Sequence, residues 1–310
     1  MINIHNFHIS DINNFQQCRY KWHFASHLPN RLGKGHEPTE GPMWKGTQVH
    51  YGLEYYYANK PIPDTIDPDN RAIIDNYILW SKENDNFNGI IQTEHGVQVP
   101  FFDDHVFASR FDLLVYYQRK IWINDFKCTA QAFDGYEGFI RSQNEQARCY
   151  SWMAREIYGS NFGGIMFTFI KSKAPESPRV LANGSLSRAK NQNTTWEWYK
   201  EYVEALKQNP DDYADVKESL EKNEYIRRIY ITFTDKALDR FYTRNVAVAK
   251  EMINENLVLY PNPNPIVCKS CPYVYPCNMK MDISDKLADQ YVMANFGTTN
   301  YTQRAKDEVK

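Results

Sequence analysis

No stretch of this 310-residue sequence approaches the ~20 consecutive apolar residues that a membrane span requires. The N-terminus, Met1-Ile2-Asn3-Ile4-His5-Asn6, lacks the basic start and apolar run of a signal peptide, so a cytoplasmic location is expected. Net charge is nearly absent: 36 basic and 38 acidic side chains leave −2. That balance excludes a protein that coats a polyanion by bulk charge; any such contact must come from a local patch. A phosphate-cradling G-x-x-x-x-G-K-[ST] loop is missing, and nothing suggests a flavin or nicotinamide site. There is no internal repeat, and no low-complexity segment exceeds Pro261-Asn262-Pro263-Asn264-Pro265. What remains is an ordinary globular composition, 42% hydrophobic and rich in aromatics, with 22 Tyr. A chain of this length can bury a substantial core, and residues 1–310 are read as a single domain.

The pattern predicts a helix from Ser10, as N-cap, to about Leu28. A loop is expected over Gly33–Pro42, then helices over Met43–Asn59 and Arg71–Lys82. A β block follows: strands Gln92–Phe101, Val106–Tyr117 and Ile121–Cys128, joined by turns at Asp103-Asp104 and Gln118-Arg119-Lys120. A helix over Phe139–Tyr158 leads into a strand at Gly163–Ile170. Lys171–Asn193 reads as polar and irregular. Helices Thr195–Lys207 and Tyr213–Lys222, a strand Tyr225–Phe233 and a long helix Asp235–Asn256 complete the run before the proline spacer.

Asp125-Phe126-Lys127 lies on one predicted strand, so Asp125 and Lys127 leave the same face. Asp112 lies on the preceding strand, and the short turn between them favours a hairpin. Two carboxylates and an ammonium can thereby meet. An isolated D-x-K is usually an ordinary sheet-face ion pair. These strands are otherwise apolar (Phe111, Leu113, Leu114, Val115, Ile121, Trp122, Ile123), and charges there are costly unless paired or metal-bound. Paired carboxylates hold Mg²⁺ or Mn²⁺, and a lysine can stabilise charge on a phosphate. His50, in Gly46-Thr47-Gln48-Val49-His50, suits a transition metal, although a lone helical histidine is more often structural. Glu94 reads equally as a solvated strand charge or as an accessory acid. Gln146 and Tyr150, four apart, share a helix face and can hold Lys127.

Six cysteines are present. Cys268, Cys271 and Cys277 form C-x2-C-x5-C, and Cys18, flanked by Arg19, Tyr20, Lys21 and Trp22, is the best fourth ligand. Zinc and an iron–sulfur cluster both accept four thiolates, and the spacing does not choose between them. Cys128 and Cys149 read as small buried apolar residues. The stretch containing Lys171, Lys173, Arg179, Arg188 and Lys190, with Glu176 as its one acid, is the candidate basic patch or else a solvated loop.

Taken in order, Ser10–Tyr20 with Cys18, Gly46–His50, Asp112, Asp125-Phe126-Lys127, Gln146…Tyr150 and Cys268…Cys271…Cys277 resemble the PD-(D/E)XK nucleases of the RecB-like branch. Within it they resemble the iron–sulfur exonucleases of the AddB and CRISPR-adaptation type. The resemblance implies an α/β restriction-endonuclease-like core: a central mixed β-sheet flanked by helices, with helical additions and a C-terminal iron–sulfur segment. It implies Mg²⁺ or Mn²⁺ on His50, Asp112, Asp125 and the Phe126 carbonyl, with Lys127 catalytic and Gln146/Tyr150 behind it. It implies a 4Fe–4S cluster on Cys18, Cys268, Cys271 and Cys277, so that residues 10–28 and 261–280 form one staple. DNA is the implied partner, with a separate helicase or annealing protein, in recombination, repair or phage DNA metabolism. Two departures stand out. Arg110 occupies the position of a glycine two residues before the first Asp, and Asn124 that of the proline of the family name. Arg110 can narrow the site or bind phosphate.

Three other readings compete. A cluster- or zinc-bearing DNA-end-binding protein would keep the cysteines and lose the acids, yet the acids and Lys127 are present. An endonuclease or RNA-directed nuclease would share the same core. A redox protein would use the cluster alone.

Overall fold

The structure, a computed structural model, describes residues 6–25 and 40–296. Six strands form one mixed sheet: β1 (Asn6–Phe7), β2 (Gly89–Phe102), β3 (His105–Tyr117), β4 (Lys120–Thr129), β5 (Phe162–Lys171) and β6 (Ile226–Ile231). The order is β1-β3-β4-β5-β6, and β2 covers the other edge of β3. Pairing is antiparallel for β2–β3, β3–β4 and β5–β6, and parallel for β1–β3 and β4–β5.

Two tight turns set the register. Gln118 and Arg119 both adopt positive φ, 49° and 62°, the backbone of a two-residue hairpin whose twist matches its strands. Tyr117 then faces Lys120, and pairing runs on to Leu113–Asn124. Beyond that rung β3 and β4 part. β1 pairs with β3 only at Val106 and Phe107, so the β3 edge from Ala108 to Asp112 makes no strand pairing on that side. This fork lies next to Asp112 and Asp125.

Helices cover both faces of the sheet. On one side α1 (Ile9–Gln17), α6 (Glu145–Tyr158) and α9 (Asp235–Met252) bury Ile12, Phe15, Trp152, Met153, Phe241 and Met252 against Val97, Phe107, Ile123 and Phe167. On the other, α3 (Gly41–Tyr57) and α4 (Pro68–Asn84) bury Val49, Leu53, Ile73, Ile74 and Tyr77 against Leu113, Val115 and Phe126. α7 (Trp196–Ala205) and α8 (Ala214–Leu220) build a small cluster around Tyr199 and Val216. β5 is buried on both faces and reads as a continuous apolar run, as a strand inside a covered sheet must.

Several expectations are corrected. The first helix is two, α1 and α2 (Arg19–Ala25), separated by Cys18 in extended conformation (φ −165°, ψ 122°). His8, not Ser10, occupies the N-cap position, and it makes no side-chain cap. The helix expected over Phe139–Tyr158 is also two, α5 (Phe133–Gln143) and α6, because the Asn144 side chain caps α6 by accepting from the Ala147 N–H at 2.8 Å. The loop expected over Gly33–Pro42 lies outside the described residues except at its end, where Gly41 and Pro42 already begin α3. Beyond the spacer come three short helices, α10 (Pro265–Lys269), α11 (Val274–Asp282) and α12 (Asp285–Phe296). β1 was not expected; two residues are too few to show a period.

Candidate active site

The hairpin register carries Asp112 and Asp125 to the mouth of the fork. Asp112 replaces the missing strand partner: its Oδ2 accepts the Phe126 backbone N–H at 2.9 Å. The same oxygen lies 3.3 Å from His50 Nδ1 on α3. Across the other edge of β3, Thr93 pairs with Leu113 and His95 with Phe111, so Glu94 stands opposite Asp112. Glu94 adopts φ 45°, a left-handed backbone that non-glycine residues rarely take. The alternation of β3 slips at the same rung: Phe111 packs on the α6 side, whereas Leu113 packs on the α3 side. Together these irregularities bring His50, Glu94 and Asp112 into one group whose ligand atoms lie within 4.8 Å of one another. It is the one such group among the described residues.

Asp125 is 1% exposed. Lys127 Nζ lies 2.6 Å from its Oδ2, a close ion pair. Gln146 ties the pair together. Its Oε1 accepts from Lys127 Nζ at 2.9 Å, and its amide nitrogen donates to Asp125 Oδ1 at 3.2 Å and to Tyr150 Oη at 2.8 Å. Gln146 and Tyr150 lie one helical turn apart on α6, whose first turn is held by the Asn144 cap.

Charge is crowded here. Burial, reinforced by Asp112, pushes the Glu94 carboxyl up to about 7, against the opposing pull of Arg110 and His50. Burial pushes Asp125 up to about 6, with Lys127 opposing and Asp112 adding to the rise. Burial also raises the Tyr150 hydroxyl well above its ordinary value, so it stays a neutral hydrogen-bonding group. Two carboxyls held above their ordinary range beside a third make a site that a cation would relieve.

The expected ligands are brought to one strand fork, three of the acid and histidine residues forming the tightest group. His50 and Asp112 meet, and Glu94, expected only as an accessory, completes their group. Asp125 lies outside that group and is engaged by Lys127 and Gln146. Phe126 contributes its N–H to Asp112, and its ring is clamped by His50, Tyr57 and Tyr77. Arg110 forms an ion pair with Glu94 at 3.4 Å, at the edge of the acids. Glu94 could have been found by extending the hairpin register one strand outward. Asn144 carried a helix-start signal inside a stretch read as one continuous helix.

Cys18, Cys268, Cys271 and Cys277 line one cavity of about 140 Å³, together with Tyr20, Phe24 and Tyr273. The extended Cys18 makes this possible: its Sγ accepts from the N–H groups of Lys21 at 3.5 Å and Asn262 at 3.4 Å. Cys268 Sγ accepts from the Asn264 N–H at 3.4 Å. Burial pushes the Cys277 thiol up to about 11, with Cys18, Cys271 and Cys268 adding to the rise. Among the described residues no three of these sulfurs lie within 4.8 Å of one another. Cys128 and Cys149 stand apart, and burial raises both thiols.

Three residues of the expected basic patch have protein partners. Lys173 pairs with Glu176 at 2.6 Å, Arg188 with Asp215, and Lys171 donates to the Gln131 carbonyl at 2.6 Å. Asp215 comes from α8, which the local count of charges did not include.

A mixed α/β sheet with carboxylates, a histidine and a lysine gathered at a strand fork defines an acid-centred hydrolase of the kind that works on phosphodiesters. A profile described as the PD-(D/E)XK nuclease superfamily matches residues 7–278, and the chain belongs to that superfamily. Membership makes it a nuclease by class, a hydrolase of phosphodiester bonds. No curated protein matches. Among solved structures, an exonuclease candidate from Eubacterium rectale is similar over 86% of this chain and 94% of that chain, at 12% identity and a TM-score of 0.32. Among the described residues no helix is long and apolar enough to cross a membrane.

Proposed function

We propose that the chain is a metal-dependent DNA exonuclease of the RecB-like iron–sulfur type, taking Mg²⁺ or Mn²⁺ at His50, Glu94 and Asp112 with Asp125 beside them. The observation that carries this reading is the meeting of that three-ligand group with the Asp125–Lys127–Gln146 set at one strand fork. When bound, the divalent ion would lower the pKa of a coordinated water and polarise the phosphate. The chain's own residues do the rest. Lys127 offers its ammonium to the negative charge that develops on the phosphate. Gln146 keeps Lys127 from drifting by holding both its nitrogen and its carboxylate partner. Phe126, wedged among three rings, fixes the angle of the Asp112 carboxylate through its N–H.

We assign the four-cysteine cavity to a 4Fe–4S cluster. Four thiols lining one cavity form a donor set that such a cluster accepts. The chain is then one nuclease domain in which residues 10–28 and 261–280 form a staple. DNA ends are the substrate, and a separate helicase or annealing protein would deliver them.

End-labelled linear DNA and closed circular DNA, incubated with Mg²⁺ or Mn²⁺, test the reading. Mononucleotides or short oligonucleotides should leave the linear DNA, the circle should survive, and Mn²⁺ should serve at least as well as Mg²⁺ because His50 is a softer ligand than oxygen. Lys127→Ala should abolish cleavage with the fold retained. Cutting of the circle would make the enzyme an endonuclease; undiminished cleavage in Lys127→Ala or in excess EDTA would overturn the site.

A further inference from the structure

Six residues of α3 sort into a core face, a site face and an outer face. His50 reaches Asp112, and the charge of Glu54, one turn on, is felt by Glu94. Val49 and Leu53 face the core. Tyr51 and Tyr55 follow His50 and Glu54 directly, and at about 100° per residue they stand on the far side of the acid strip from the core. Tyr51 is 38% exposed, so part of its ring surface faces solvent. Its neighbour braces it: the Tyr51 and Tyr55 rings meet edge to face with centroids 4.8 Å apart, and their hydroxyls are hydrogen-bonded at 3.0 Å. Lys60, just past the helix, holds its ammonium 5.8 Å from the Tyr55 ring.

We infer that Tyr51, braced by Tyr55, is a stacking platform for an unpaired nucleobase at the lip of the acid centre, with Lys60 placed to neutralise a phosphate of the same strand. The substrate class is therefore single-stranded DNA or a frayed duplex end. This rests on the nuclease reading and narrows it. A base inside a duplex has both faces covered by its neighbours, and at a blunt end the terminal pair exposes one face while its strands stay tied together; an unpaired base can lay a face on a protein ring freely. The hydrogen bond between the two hydroxyls fixes the rings relative to each other, and the Tyr51 ring offers its π-surface to a base. Such a surface takes any base and confers no sequence preference. A tyrosine already held by its neighbour loses little conformational freedom on binding.

The test is fluorescence anisotropy of a labelled single strand and of the blunt duplex that contains it, with Ca²⁺ replacing Mg²⁺ to suppress cleavage. Tyr51→Ala should weaken single-strand binding about tenfold while leaving the duplex within about twofold, the loss expected of one stacked base. Tyr51→Phe, which keeps the ring and drops the hydroxyl, should bind the single strand like the natural protein. Circular dichroism melts check that both variants fold. Unchanged single-strand affinity in Tyr51→Ala overturns the platform, as does an equal loss on both DNAs or a Tyr51→Phe defect matching that of Ala. A natural protein that neither binds nor cuts DNA overturns the nuclease reading and the platform with it. Normal cutting combined with an indifferent Tyr51→Ala overturns the platform alone.

Discussion

Asp125 shows how much one residue can cost its own fold. Its carboxyl titrates near 6 because it is 1% exposed, and Lys127 only partly offsets that burial. The native state therefore binds a proton that the unfolded state, titrating near its ordinary 3.8, has already released. Between those values stability of the metal-free protein falls as pH rises, and above about 6 the full penalty, on the order of 3 kcal/mol, is present. Asp125→Asn carries no such charge. In EDTA it should melt higher than the natural protein at pH 8 and at the same temperature near pH 4. Adding Mn²⁺ at pH 8 should raise the melting temperature of the natural protein much more than that of Asp125→Asn, because an ion that binds the folded state stabilises it by mass action. Equal melting of the two proteins at pH 8 in EDTA would mean that Lys127 neutralises Asp125 fully.

The two helix breaks each serve a site. Cys18 leaves helical geometry to turn its sulfur toward the tail, and Asn144 ends α5 and starts α6 so that Gln146 falls in the first turn. Gln146 is thus positioned by a cap two residues away. Asn144→Ala should cost about 1 kcal/mol of stability and also slow cleavage, since a frayed first turn releases Gln146 from Lys127. Asn144→Asp restores the acceptor and should restore both. A variant that loses stability while cleaving at full rate would show that Gln146 is held by its partners alone. Strand elements were legible from alternation and from the two turns, and β3 and β4 lie close to where the pattern puts them. Neither break carries a proline or glycine, so periodicity ran straight through both.

Across the whole molecule, the cysteine cavity joins residues 250 positions apart and ties α2 to the segment beyond α9. Holding so long a loop closed removes entropy from the unfolded chain, and ligation of this kind couples to folding. Anaerobically purified protein should be brown, with broad absorbance near ~400 nm, as a four-thiolate iron–sulfur site requires. Cys18→Ala should lose the colour, melt earlier, and lose nuclease activity only to the extent that it unfolds. Colourless protein with one stoichiometric zinc would refute iron and keep the staple. Wild-type melting and metal content in Cys18→Ala would refute the staple itself.

The sequence by itself determined the hairpin and what it carries. A tight turn at Gln118-Arg119-Lys120 favours a hairpin, and period-2 alternation places Asp125 and Lys127 on one face with Asp112 on the neighbouring strand; the two-residue register itself came with the structure. Turn and alternation are local rules, and they hold wherever the strands end up. The tertiary structure decided the rest. Glu94 joins His50 and Asp112 because β2 and β3 both break their regular geometry at one rung, a strain no propensity encodes. Asp125 is drawn to Gln146 and Lys127, apart from the histidine group, because α6 packs over that face. Within the 171–190 stretch Arg188 is paired by Asp215, which lies far along the chain, whereas Lys173 finds Glu176 three residues away. Where a side chain's partners come from other elements, packing chooses them, and the chain order alone does not carry that choice.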